Sequence, residues 1–383
     1  LTTGYIYVEG GLFAGQITDE CRITSNIVIT LNSSEEEPMG EKYGTQFIAV
    51  APGGRLSLFG LQTIGRTKLA ATVSSGSSTV TLADGVDWKV GQTVIITPTN
   101  FDATESAEFK IASIPDNQTL VLDSATTATY FGESDSNFDE RAEVAVLDRK
   151  IKIQGVSSLG GHIFIEGPSS IVDISGVELY RMGQFGKDRR YPINFDSAGM
   201  PLSAFIAEST VHHSFRCLGL RNTQGVIFLN NLCYGIQGHA IFQAEGSEYG
   251  NMFEGNLISF VTPGVNVTAY PKHHDATPSG FFILHPNNTF TNNQVSGTLG
   301  HGFWFALPAE VLGDSRSLPQ FSEVKPNKFD LGTFAYNAAR SIAINGLHVD
   351  NGLDSTGNPT IPGYSPAASA IFAYVTATKC RKY

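Results

Sequence analysis

The segment YRMGQFGKDRRYPINFD, from Tyr180 to Asp196, concentrates the chemistry of the chain: Arg181, Lys187, Arg189 and Arg190 lie beside Asp188, Asn194 and Asp196. Between Arg181 and Arg221 there are six cations (Arg181, Lys187, Arg189, Arg190, Arg216, Arg221) and three anions (Asp188, Asp196, Glu208), a local charge of +3 in a chain of net charge -11. A groove of that sign suits an acidic or sulfated glycan, because a guanidinium grips a carboxylate through two parallel hydrogen bonds. His212, His213, His239, Glu245 and Glu248 follow as groups able to move a proton or hold a ligand. Adjacent side chains of a strand point to opposite faces, so only one of His212 and His213 is expected to face a groove, the other entering the core. Asp196, Glu245 and Glu248 offer oxygens to Ca²⁺, an ion that takes about six to eight of them, if neighbouring strands bring the three together. Phe303, Trp304 and Phe305 supply rings for stacking on sugars, with at least one face of that run committed to the core.

Other chemistries have no motif. The chain lacks a Walker loop, a Cys-x-x-Cys pair, a His-Glu-x-x-His helix and a Gly-x-Ser-x-Gly elbow.

The elements that must position these groups read as strands and turns. YIYVEGGLFAG (5–15) and FIAVAPGGRLSLFG (47–60) each show alternating apolar residues, a Gly-Gly turn and a second alternating run. Two further units (78–98 and 107–125) complete what reads as an all-β domain over residues 1–155. From about residue 156 short apolar runs are separated by Asn and Gly, and Asn-x-Phe recurs at Asn251, Asn288 and Asn327. Such recurrence marks a solenoid, whose corners Asn turns by adopting left-handed backbone geometry and stacking its amide on the Asn of the next coil. A β-sandwich with Asn-rich loops is the alternative. Segments 261–280 and 308–328 read as long loops leaving the body, and helix is expected only in short pieces such as PAEVLGD and NAARSIA.

Composition sets outer limits. Charged residues are 16% of the 383, below the usual share of about 25%, and 40 glycines exceed the usual share of about 7%. With 36 anionic and 25 cationic side chains, nucleic acid and anionic lipid are excluded as non-specific partners. No apolar run is long enough to cross a bilayer, so no transmembrane segment is expected and the chain reads as soluble. Leu1 opens what reads as a strand, which is expected of a fragment of a longer chain. Asn32, Asn117, Asn266 and Asn287 head Asn-x-Ser/Thr sequons that suit a secreted glycoprotein. Of four cysteines, Cys217 and Cys233 are close enough to sit on neighbouring strands, either as a disulfide or as buried thiols.

Several motifs in fixed order carry a resemblance. YIYVEGG, FIAVAPGGRLSLFG, DWKVGQTVII and ERAEVAVLDRKIKIQG, followed by GGHIFI, VELYRMGQ, RRYPINF, VHHSFRC, GHAIFQAEGSEYGNMFEGNL, HPNNTF and GFWFALP, resemble the eight-glycine proteins typified by cell-migration-inducing hyaluronidases, the transmembrane hyaluronidase and fibrocystin. The resemblance implies an all-β fold, an eight-glycine β domain (1–155) packed on a right-handed parallel β-helix (156–383). It also implies an extracellular setting and a link to hyaluronan or a similar glycan.

At the matching motifs the chain departs from the family. Where the family shows Tyr-Pro-Ile-His-x-His, Tyr191-Pro192-Ile193 is followed by Asn194-Phe195-Asp196, so both imidazoles are absent; Asn cannot transfer protons, and Asp does so only with a raised pKa. Where the family carries Glu-Asp before a glycine, Ala244-Glu245 stands, and an Asn between Phe215 and Arg216 is missing. Two functions therefore compete. One is a catalytically degenerate glycan-binding or structural module of an extracellular assembly with other chains or copies of itself, contacting an acidic glycan through Arg189, Arg190, Asn194, Arg216, His239 and Trp304. The other is an active depolymerase, a hydrolase or lyase, using Asp196 and Glu245 together with His212 and His213.

Overall fold

The computed structural model describes residues 1–33, 42–134, 139–156, 160–264, 273–352 and 363–382. Three parallel sheets run along it as the faces of a right-handed β-helix. Sheet A has ten strands, from Thr2–Thr3 through Ile27–Leu31, Ile151–Gly155, Val177–Tyr180, Thr210–Phe215 and onward to Thr376–Cys380. Sheets B and C have nine each, running from Tyr5–Val8 to Leu347–Val349 and from Gly11–Ala14 to Phe372–Ala373. Because pairing is parallel and in register, like sits on like: Ile151 and Ile153 pair with Val177 and Leu179, and Phe281 pairs with Phe303. The lumen is accordingly a column of Ile, Leu, Val and Phe, with Phe253 on Phe290 (5.0 Å) and Phe281 on Phe303 (4.9 Å) as near-parallel rings.

The corner between sheets C and A explains the recurring polar residues. Gly176, Glu208, Asn230, Gly255, Asn292 and Tyr336 all have positive φ, and each from Gly176 to Asn292 donates its N–H to a carbonyl of the next coil. The following residue is a buried Asn in four successive coils. Asn231, Asn256, Asn293 and Asn337 form a ladder in which each of the first three Nδ2 groups reaches the next Oδ1, at 3.3, 2.9 and 3.1 Å. A second, shorter ladder joins Asn251 to Asn288 at 3.1 Å. Asn327 is not part of it; it sits in a 3₁₀ turn, Pro326–Lys328, within the segment 308–328. That segment carries two other short turns, Asp314–Ser317 and Pro319–Phe321. The helix expected in NAARSIA is absent: Ala338–Ile342 is a strand of sheet A, held there by Asn337 and the in-register Gln294–Thr298.

The sheets also run through the division expected at residue 155. Strands within residues 2–59 form the first two coils of the same β-helix, and Ile151–Gly155 pairs directly with Ile27–Leu31. What interrupts the solenoid is a six-stranded antiparallel module between Arg66 and Val146, with its own core around Trp88, Phe109 and Tyr130. The module packs on the outer face of sheet A, where Ile95, Ala145 and Leu147 meet Leu232, Tyr234 and Leu257.

Cys217 and Cys233 form a disulfide inside the lumen, both fully buried; Cys21 and Cys380 are free. Asn32, Asn117 and Asn287 are exposed, and Asn266 lies outside the described residues. No helix of the described residues is long and apolar enough to cross a membrane.

Candidate functional site

On the outer face of sheet B, strand alternation and register build an ion-pair cluster. Ile193 and Phe195 point into the core, so Asn194 and Asp196 point out; in the next strand Leu218 and Leu220 point in, and Gly219 and Arg221 point out. Register sets Asp196 against Arg221 and Asn194 against Gly219. Gly219 leaves room for a ring, since a Cβ there would lie 2.2 Å from Cδ2 of Tyr191.

Arg221 is the hub. Its Nη2 donates to Asp188 Oδ2 (3.0 Å), its Nη1 to Glu245 Oε1, and its Nε lies 3.7 Å from Asp196 Oδ2. Arg189 approaches Asp196 from the other side (3.5 Å) and donates to Asp314, while the Tyr191 hydroxyl donates to Asp188 at 2.6 Å. Glu245 is fully buried: besides Arg221 it accepts the backbone N–H groups of Asp314 (3.0 Å) and Ser315 (2.9 Å), which tie the 308–318 segment down over the sheet. Burial pushes the Asp196 carboxyl above its ordinary value, and the charges of Arg189 and Arg221 oppose the shift without cancelling it. Burial works against the Arg221 charge, but Asp188, Glu245 and Asp196 outweigh it and hold the guanidinium above its ordinary value.

Beside this cluster the outer face of sheet B is a second, aromatic core. Phe242, Phe282 and Trp304 stand in register on successive strands and pack with Tyr191 and Phe215. Arg216 lies within it, 1% exposed, 3.7 Å above the Phe242 ring, with both Asp275 oxygens within 2.9 Å of its Nη2. His239 bridges Asp275 (3.2 Å) and the Ser279 hydroxyl (2.8 Å) and is fully buried.

The glycan-contacting set expected from sequence is therefore divided. Asn194, Arg216, His239 and Trp304 are buried by the loops folded over the sheet, so none is a surface platform for a sugar. Arg189 and Arg190 do reach the surface. With Lys42, Lys187, Asp188 and Phe164 they line a pocket of about 400 Å³.

The expected proton-transfer set is divided as well. His212 and His213 lie on sheet A, where His212 Nε2 meets Glu178 Oε1 (3.1 Å) and His213 Nε2 meets Glu108 Oε2 of the antiparallel module (3.3 Å). They share no hydrogen-bond or ion-pair partner with Asp196 or Glu245 among the described residues. Both rings face outward, contrary to strict alternation, because His213 has positive φ, as do its counterparts Arg181, Gly235, Phe260 and Gly297 in neighbouring coils.

Asp196, Glu245 and Glu248 do not fit a calcium ion. The oxygens of Glu245 face Arg221 and two N–H groups, and those of Glu248 accept from the N–H groups of Asn222, Glu245 and Gly246 and from the Ser247 hydroxyl. Donors already occupy the positions a cation would need. No cluster of metal-ligating side chains exists among the described residues.

Arg221 and Asp188 were visible in sequence only as charges in a basic patch; the one-residue step from the inward Leu220 and the pairing with Asp196 are what make Arg221 a hub. Asp275, Asp314 and Glu108 had no signal, because each is brought in from a loop or from the separate module; Glu178 comes from the neighbouring strand of sheet A, Val177–Tyr180.

A right-handed β-helix, interrupted after two coils by an antiparallel module and capped over one sheet by loops, defines the class of this molecule. Comparison with known families narrows it: the G8 domain matches residues 1–70 and the CEMIP beta-helix matches residues 158–347. The chain belongs to this family of G8-domain proteins with a CEMIP-type β-helix. It is 30% identical to a G8 domain-containing protein of Dictyostelium discoideum, over 88% of this chain and 31% of that one. To the cell surface hyaluronidase of Danio rerio it is 28% identical, over 71% of this chain and 23% of that one. The chain thus spans between about a quarter and a third of these relatives. Among solved structures, the tailspike gp61 of Pseudomonas phage phi297 aligns over 98% of this chain and 57% of its own, at 11% identity and a TM-score of 0.23.

Proposed function

We propose that this chain is an extracellular acidic-glycan-binding module that does not turn its ligand over. The observation carrying this reading is the state of the two carboxylates: Asp196 and Glu245 are both engaged by Arg221, and Glu245 is sealed beneath the backbone of Asp314 and Ser315. Carboxylates fixed in that way hold loops and guanidinium groups in place rather than exchanging protons with a ligand. The surface left to a ligand is the pocket of Lys42, Lys187, Arg189 and Arg190, whose charge suits a uronate carboxylate or a sulfate ester. A cell surface hyaluronidase among the relatives supports a glycan as partner. The lumenal disulfide and the three exposed sequons support an oxidising, glycosylating compartment.

The test is incubation with hyaluronan and with chondroitin sulfate, followed by measurement of retention and of chain length. Retention at unchanged length, weakened by salt and by Lys187→Ala with Arg189→Ala, is expected. Shortened chains would sink the reading. They would instead favour depolymerisation with Asp196 as general acid, a role consistent with its raised pKa, and Asp196→Asn should then abolish shortening while leaving retention intact.

A further inference from the structure

A second groove of about 750 Å³ lies between the antiparallel module and the outer face of sheet A. Three acids and four cations line it: Asp139 is paired with Lys68 and Arg141, both at 2.8 Å, Glu143 faces Lys68 at 3.8 Å, and Asp84 accepts from the Thr67 hydroxyl at 2.8 Å. Two cations lining the same groove are not matched. Arg340 is 5% exposed and donates only to backbone carbonyls, those of Arg141 (2.6 Å) and Asp139 (2.8 Å), and its Nε has no partner among the described residues. Arg66 donates to the Gly255 carbonyl at 3.0 Å, and its Nη1 is likewise without a partner among the described residues.

Burying a guanidinium away from water costs several kcal/mol, which a carbonyl dipole offsets less well than a full negative charge. Two such groups on one groove, in a chain of net charge -11, leave a local demand for an anion. The same groove carries Tyr336, 57% exposed, whose ring stacks at 4.6 Å on the still more open Tyr374 of the next coil. Thr376 and Thr378 add hydroxyls beside it. Anion-binding cations, hydroxyls and an open aromatic ring together match a sugar bearing a carboxylate or sulfate rather than a small inorganic anion.

We propose that this groove is a second glycan subsite, taking an anionic saccharide whose charged group is held by Arg66 over Arg340 and whose ring lies against Tyr336. It is separate from the pocket on sheet B and does not depend on that pocket binding anything.

The experiment is calorimetric titration of the Lys187→Ala/Arg189→Ala chain, which disables the sheet-B pocket, with a chondroitin sulfate hexasaccharide, a neutral cello-oligosaccharide of equal length and inorganic sulfate. The acidic hexasaccharide is expected to bind. Arg66→Gln should weaken it about ten-fold, and Tyr336→Ala, at a largely exposed ring outside the core, should weaken it several-fold without changing the response to sulfate. Equal binding of the neutral sugar, binding of sulfate alone, indifference to both substitutions, or loss of all binding in the Lys187→Ala/Arg189→Ala background would each overturn the proposal. If the background chain binds as tightly and with the same stoichiometry as the unmodified one, the sheet-B reading fails and this groove alone carries the ligand.

Discussion

His212 and His213, neighbours in sequence, present their rings to the same side of sheet A, Nδ1 to Nδ1 at 3.0 Å. A hydrogen bond there needs one ring to accept, so the two cannot both be protonated and keep it. Burial, the His212 charge, Arg181 and Lys152 together bring His213 down to about 4.

Acid should therefore destabilise the fold early. Burial also lowers His285 and His301 to about 4 and His162 to about 3. Unfolded imidazoles take up protons near pH 6.5 while these folded ones do not, so their stabilisation is complete above about 6.5 and is lost as pH falls toward 4. Each such proton changes stability by about 1.4 kcal/mol per pH unit, less for the half-exposed His213. Asp196 and Glu248, raised by burial, act with the opposite sign, their penalty being relieved as pH falls through their raised values. The thermal midpoint should fall steadily from pH 7 to pH 4.5, and His301→Gln should flatten the slope. A midpoint independent of pH across that window would contradict the assignment.

Asn256 is the middle of the corner ladder. Its Oδ1 accepts from Asn231 N–H at 2.9 Å, and its Nδ2 donates to Phe228 O at 2.8 Å and to Asn293 Oδ1 at 2.9 Å. Asn256→Ala strands three buried groups and should cost about 2 to 4 kcal/mol. Asn256→Asp should cost more, since a carboxylate would face the Phe228 carbonyl. Urea denaturation distinguishes the two; equal losses would show that a carboxylate facing the Phe228 carbonyl adds no penalty.

Arg216 and Asp275 form a fully buried pair under the aromatic cluster. Removing one partner takes away the other's full counter-charge, leaving Asp275 to His239 or Arg216 to the aromatic rings, so Arg216→Met and Asp275→Leu should each cost about 3 to 5 kcal/mol. The double variant should recover a large part of that loss. A double-mutant cycle with no coupling would mean that the loops hold sheet B without this pair.

The Cys217–Cys233 bridge closes a loop with a sequence separation of 16, which by chain entropy stabilises the fold by about 3 kcal/mol. Because both sulfurs are buried, reductant without denaturant should act slowly, and reduction should accelerate sharply near the unfolding midpoint. Mass-resolved thiol labelling at increasing urea follows this directly; full labelling under native conditions would refute it.

The parallel β-helix was legible because inward residues such as Ile151, Ile153, Val177 and Leu179 repeat at period two between polar corners. Part of the Asn signal was legible too: Asn251 and Asn288 do stack, whereas Asn327 shares their local motif but lies in a loop, and the longer ladder escaped notice because no Phe follows its members at a fixed step. The burial of Trp304 and Arg216 was not legible, since Trp304 stands at an outward position of sheet B and Arg216 at the corner leading into that sheet, and both are covered by segments with no periodicity of their own. His213 broke the alternation rule through a single left-handed backbone angle that side-chain pattern does not encode. The first two coils escaped recognition as solenoid because the next coil, on which the second one stacks, lies beyond the inserted module.

That insertion also sets an order of assembly. Gln154 and Thr30 bond across 124 residues of chain, whereas Asn231 and Asn256 bond across 25. Closing the longer loop costs about 1.4 kcal/mol more entropy, so winding should begin in the later coils and reach residues 2–59 last. On a ribosome delivering about 5 to 20 residues per second, the first two coils emerge and then wait roughly 5 to 20 s for the strand that templates them. During that interval their strand edges are open to any neighbouring nascent chain, while the antiparallel module, whose strands pair with one another, folds between the two parts of the solenoid.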